Sequence, residues 1–111
     1  MADTSTITLD GITIAPGVLE TIVAMAAEDV EGVAAVMARP ALRKRASAPM
    51  VDCVVEDGTL TCGVHVIARY GVVLNEVGAS VQLVVTNALK AQLGVEPAYI
   101  DVFIDAIEFG E

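Results

Sequence analysis

The sequence predicts an α+β fold, a two-layer sandwich with a mixed or antiparallel β-sheet and two α-helices packed on one face. Three observations lead to it. Residues 51–70 alternate apolar and polar side chains about Asp57-Gly58, the pattern of a half-buried hairpin. Two other stretches, one ending near Glu28 and one between Asn75 and Gly94, repeat apolar residues at helical spacing. A final stretch, about Ala98 to Ile107, alternates again. One apolar sheet face and two amphipathic helices close most simply when both helices cover that face and the other stays in water.

From the N-terminus, Ile7, Leu9, Ile12 and Ile14 flank Asp10-Gly11 and read as a short strand or a small hairpin. Pro16 suits the first turn of the following helix, where an N–H has no intrahelical partner anyway. Val18, Leu19, Ile22, Val23, Met25 and Ala26 form the expected buried stripe of that helix. Gly32 breaks the pattern, and VAAVMA at 33–38 is expected to be a buried strand. Residues 39–49 read as a basic loop punctuated by Pro40 and Pro49.

Asp57-Gly58 sets the register of the hairpin. A two-residue type I′ loop needs positive φ at both central positions, which glycine reaches freely and aspartate tolerates. Glu56 then faces Thr59, Val55 faces Leu60, Val54 faces Thr61 and Cys53 faces Cys62. The pleat places Val51, Cys53, Val55, Leu60, Cys62, Val64, Val66, Ala68 and Tyr70 on an apolar face. Asp52, Val54, Glu56, Thr59, Thr61, Gly63, His65, Ile67 and Arg69 take the other.

Gly71 permits a sharp exit from the hairpin. Asn75 is the expected N-cap of the second helix, and Glu76 in its first turn complements the helix dipole. Val77, Val81, Val84, Val85 and Ala88 share one side of it, and Gly94 is placed to end it. In the last strand Ile100, Val102 and Ile104 share one face; Asp101, Phe103 and Asp105 share the other.

At 111 residues, 55% of them hydrophobic, the chain suits a single domain over residues 1–111 with residues 1–5 as a flexible start. No apolar run approaches the ~18 residues that a membrane span needs. MADTSTIT has no basic region followed by an apolar stretch, so no signal peptide is expected and the expected location is cytoplasmic. A formal charge of -9, from 15 acidic and 6 basic residues, opposes nonspecific binding to nucleic acid. Yet four of the six basic residues, Arg39, Arg43, Lys44 and Arg45, lie together in ARPALRKRA. Such a loop can dock on an anionic partner or simply keep a connection in water.

Candidate chemistry is sparse. Two cysteines are too few for a disulfide scaffold. Cys53 and Cys62 fall at a non-hydrogen-bonded pair, where Cα atoms lie about 4.5 Å apart, near the short limit of about 4.4 Å for a disulfide. A strained, reducible bond and two reduced core thiols both fit that spacing. The core-facing direction favours reduced thiols, because a redox switch needs exposed thiols of low pKa. Zinc needs about four ligands, and the only histidine, His65, lies on the opposite face. His65 on a wet strand face is the ordinary surface case, and Asp101 with Asp105 has the spacing of any solvated strand. Gly58, Gly63 and Gly71 match neither phosphate-binding glycine spacing. No catalytic residue, metal or cofactor is expected, and the chain is not expected to be an enzyme.

The nominally wet face is greasier than solvation requires. Val54, Ile67, Phe103 and Ile107 fall there, rimmed by Asp52, Arg69, Asp101 and Asp105. A patch of this kind marks an interface for self-association or a protein partner, with Val54, Ile67, Arg69, Phe103 and Ile107 as its expected residues.

Three stretches are familiar together. ITIAPGVLETIVAMAAEDVEGVAAV (12–36) runs from an alternating isoleucine strand through an Ile- and Ala-rich helix to Val30, Gly32 and Val33. HVIARYGVVLNEVGASVQLVVTNAL (65–89) has an alternating strand, then Tyr70, Gly71, Val72, Asn75, Glu76 and Val77. VEPAYIDVFIDAI (95–107) closes with another alternating strand. Together they resemble the alkaline-shock-protein family, the general-stress or envelope-stress-response family of Gram-positive bacteria. The resemblance implies a non-enzymatic interaction or scaffold protein of envelope homeostasis, cytosolic and self-associating. It also implies recruitment to the inner membrane face by a membrane-anchored protein partner. Gly32, Tyr70, Gly71, Asn75 and Glu76 then count as structural signatures that locate no active site. The alternative carried by the residues is a nucleic-acid- or ribosome-associated module using the basic 39–45 loop. A small redox protein using Cys53, Cys62 or His65 is the third.

Overall fold

The computed structural model describes residues 7–9, 12–15, 17–40, 47–56 and 58–109. In chain order these form β1 (Ile7–Leu9), β2 (Ile12–Ile14), α1 (Val18–Glu28), β3 (Val33–Val36), β4 (Ala38–Pro40), β5 (Ser47–Pro49), β6 (Val51–Glu56), β7 (Thr59–Arg69), α2 (Leu74–Leu93) and β8 (Tyr99–Glu108). The main sheet is organised around β7, with β3 and β6 antiparallel to it and β8 parallel. A parallel pair needs a long crossover, and α2 supplies it between β7 and β8. α1 packs against β3, β6 and β7, and α2 against α1 and β8. The fold is the expected α+β two-layer sandwich, with a mixed sheet and both helices on one face.

β3 and β6 lie end to end along the same edge of β7. Between them, the His65 carbonyl accepts the Met37 N–H at 2.8 Å, and the His65 N–H donates to the Met50 carbonyl at 3.1 Å. The Met50 N–H closes the gap by donating to the Met37 carbonyl at 2.8 Å. The two strands thus act as one strand opened at Met37 and Met50, and β4 and β5 project from the opening as a paired arm. This corrects the expected 39–49 loop: Ala38 pairs with Pro49, Arg39 with Ala48 and Pro40 with Ser47. Prolines conceal such a pair in the sequence, because they argue against a strand interior and are tolerated at an edge. Residues 1–5, Pro16, Asp57 and residues 41–46 lie outside the described part of the chain. β1 and β2 form a small hairpin of their own, separate from the main sheet.

The β6–β7 hairpin has the register that Asp57-Gly58 requires, from Glu56 opposite Thr59 to Cys53 opposite Cys62, with Gly58 at φ +75°. Val51, Leu60, Cys62, Val64, Val66 and Ala68 are buried beneath the helices, while Val55, close to the turn, is exposed. Tyr70 departs from its expected core position. β7 ends at Arg69, Gly71 turns the chain at φ +94°, and Tyr70 is left 66% exposed against the ring of Phe109.

α1 buries Leu19, Val23, Ala24, Ala26 and Ala27, whereas Val18 and Met25 are exposed. The contact stripe is narrower than the apolar periodicity, because alanines on the inner side let the helix sit close to the sheet and leave Met25 outside. α2 buries Val77, Val81, Val85 and Leu89, one residue per turn, with Val84 and Ala88 packed at the margin. Asn75 is not its N-cap. Val73 holds that position in an extended conformation without a side-chain cap, and its carbonyl accepts the N–H groups of Glu76 and Val77. Asn75 lies exposed within the first turn. Gly94 ends the helix in the left-handed region and donates to the Lys90 carbonyl at 2.9 Å.

Candidate functional site

Two surfaces gather the residues of interest. The first is the open face of the sheet. Val54, Ile67 and Phe103 share it as expected, and Tyr99 joins them by pairing with Thr61. Val54, Phe103 and Tyr99 are exposed. Gly63 lies beneath the Phe103 ring, where a Cβ would sit in ordinary contact, 3.4 Å from Phe103 Cε2. His65 stacks on the same ring, centroids 4.5 Å apart, and its Nδ1 lies 2.8 Å from Asp105 Oδ2. Asp101 and Asp105 flank Phe103 along β8, so the apolar centre has an acidic border. Arg69 pairs with Glu108 at the far end of the strands.

Ile107 leaves this patch. The β7–β8 register shifts between Val66 and Ile67, so Ile67 pairs with Ala106 and Ile107 pairs with the core-facing Ala68. A strand irregularity adds one residue and reverses the alternation beyond it, which strict period-two counting cannot register.

The thiols of Cys53 and Cys62 are both free and face each other across the hairpin. The Cys53 thiol is held far above its ordinary value, first by its hydrogen bond to Cys62 and then by burial. The same bond favours the Cys62 thiolate, with burial opposing. The pair therefore keeps one proton on Cys53 to high pH, and Cys62 is the member shifted toward the thiolate. Among the described residues, no group of three or more His, Cys, Asp and Glu side chains is arranged to hold a metal ion.

The second surface is a cleft of about 570 Å³ in the helical layer, between the turn after α1 and the start of α2. Asp29 to Gly32 form one wall, and Tyr70, Val72, Val73, Glu76 and Val77 form the other. Gly32 lets these walls meet. Its carbonyl accepts the Arg69 N–H at 2.9 Å, and a Cβ on it would lie 2.5 Å from Val77 Cγ2.

A family model for the alkaline shock protein 23 family, described as having a cell envelope-related function, matches residues 4–109. The chain belongs to the alkaline shock protein 23 family. No curated protein matches it. Six of the nine motif residues that carry the likeness to the alkaline shock proteins meet at the cleft: Val30, Gly32, Tyr70, Val72, Glu76 and Val77 line it, and Val33, Gly71 and Asn75 do not. Only the folded chain brings the two stretches together. Sequence reasoning missed Asp29, Glu31, Val73 and Ser80, whose one signal was proximity to those motifs. In the basic segment, the Arg39 backbone belongs to β4, and Arg43, Lys44 and Arg45 lie outside the described residues. No helix among the described residues is long and apolar enough to cross a membrane.

Proposed function

We propose that this alkaline shock protein is a non-enzymatic interaction protein of the envelope stress response, which self-associates through the open face of its sheet. In this reading it is cytoplasmic and is brought to the inner membrane face by a membrane-anchored partner. The family's cell envelope-related function supports the general role. The observation that carries the mode of action is the uncovered patch of Val54, Tyr99 and Phe103, exposed by 46%, 57% and 44% on a sheet whose other face packs against the helices. Burying such side chains gains about 25 cal/mol per Å² of apolar surface removed from water, and exposed apolar patches of this kind mark association surfaces.

Sedimentation of the wild type and of Phe103→Asp across a concentration series tests the reading. The wild type should associate, and the variant should run as a folded monomer. A wild type that stays monomeric at every concentration, and whose open face crosslinks to no protein in bacterial cells, would sink it. The pairing of β4 with β5 favours a second reading, because in the sequence the basic residues fall on and between these two strands. Binding of RNA or DNA that falls steeply with salt would be its signature.

A further inference from the structure

We propose that the cleft between the α1–β3 turn and the start of α2 binds a short peptide segment of another protein, one in which lysines or arginines alternate with bulky aliphatic side chains. This rests on the interaction role above and assigns it a second surface, in the helical layer rather than on the open face.

The cleft volume of about 570 Å³ lies within the range of sites that enclose a ligand. Its floor is aliphatic, with Val30 and Val77 buried and Val72 half-buried. Val73 and Tyr70 stand exposed at the lip. Three exposed carboxylates, Asp29, Glu31 and Glu76, line the cleft against a single basic residue, Arg69. None of the three has an ion-pair partner among the described residues. An apolar floor under an unpaired acidic rim selects a cation accompanied by hydrocarbon. The charge meets the carboxylates while the aliphatic groups cover the valines. A nucleic acid or an anionic headgroup is repelled by the same rim, and a small free cation gains nothing from the floor. A second copy of this chain fits less well, because its one basic segment, ARPALRKRA, holds a single bulky aliphatic residue, Leu42, among four cations.

Fluorescence anisotropy on the full chain tests the proposal with a labelled decapeptide of alternating lysine and leucine. One control replaces each lysine by glutamate, and the other replaces each leucine by serine. The lysine–leucine peptide should bind at least about tenfold more tightly than either control. Backbone amide shifts on binding should cluster at residues 30–32 and 70–77. Glu31→Lys combined with Glu76→Lys should weaken binding at least about tenfold, and Val73→Ser about threefold.

Phe103→Asp should leave peptide binding intact even where it abolishes association, so the failure of either surface is visible without the other. Equal binding of the lysine–serine peptide would reduce the effect to general attraction by an acidic chain and overturn the proposal. So would shifts centred elsewhere, or no binding. A peptide of residues 38–49 that binds more tightly would make the occupant a second copy and overturn it as well.

Discussion

Gly32→Ala should lower stability by about 1–2 kcal/mol, the balance of overpacking against a smaller gain in the unfolded chain. The added Cβ falls 2.5 Å from Val77 Cγ2 and 3.6 Å from both methyl carbons of Val72. Carbon atoms attract best at about 3.5–4.0 Å, so the Val72 contacts are ordinary and the Val77 overlap decides the sign. Val77 is 5% exposed, and a β-branched side chain in a helix has one strongly preferred rotamer. It cannot swing aside, so the start of α2 must shift. Overpacking of this kind costs about 1–3 kcal/mol. Gly32 is not among the positive-φ glycines, so alanine returns about 0.4–1 kcal/mol by restricting the unfolded chain.

Urea unfolding should show a lower midpoint with an unchanged slope, and thermal unfolding should begin about 5–10 °C earlier. Val77→Ala on its own should cost about 2 kcal/mol. After Gly32→Ala, the same truncation should cost about 1 kcal/mol less, because it also relieves the overlap. A neutral or stabilising Gly32→Ala, or strictly additive effects in the double variant, would refute the account of how α2 meets the turn after α1.

Cys53 gives a pH signature. The unfolded thiol ionises near the ordinary value of 9.0, while the native one holds its proton well above it. Above that pH the native state binds more protons than the unfolded state. The contribution present below it is therefore lost as pH rises, by up to about 1.4 kcal/mol per unit. Urea midpoints on either side of that value check this, and Cys53→Ala should flatten the decline. His65→Ala removes both the stack on Phe103 and the bond to Asp105, and should cost about 1–2 kcal/mol in the same assay. Gln82→Ala removes the donor, 3.0 Å from the Ile100 carbonyl, that ties α2 to β8. It should cost about 1 kcal/mol and speed amide exchange in β8.

The hairpin was legible to the residue, because a two-residue turn and strict alternation constrain the same register twice. The helices were legible as elements but not in their inner sides. Met25 satisfies the apolar period of α1, yet the close approach set by Ala24 and Ala27 leaves it in water. Asn75 is a good cap in isolation, and Val73 displaced it because the chain leaving Gly71 was already extended there. Ile107 was misplaced by one irregular step between β7 and β8, which depends on pairing and not on either strand alone. Three of the four apolar residues expected on the open face were therefore readable from alternation. The cleft was not, since its walls come from segments some forty residues apart that approach closely only because Gly32 has no side chain.

The opening at Met37 and Met50 makes the arm separable from the body. His65 binds both flanking methionine backbones, and those two residues bind each other, so the sheet is sealed at that point whatever lies beyond it. The chain beyond the Ala38–Pro49 pair can be exchanged for a short linker or a foreign insert, while Ala38 and Pro49 stay in place beside α1. The fold thus offers a natural grafting position, where recognition can be rewritten while the scaffold keeps its shape.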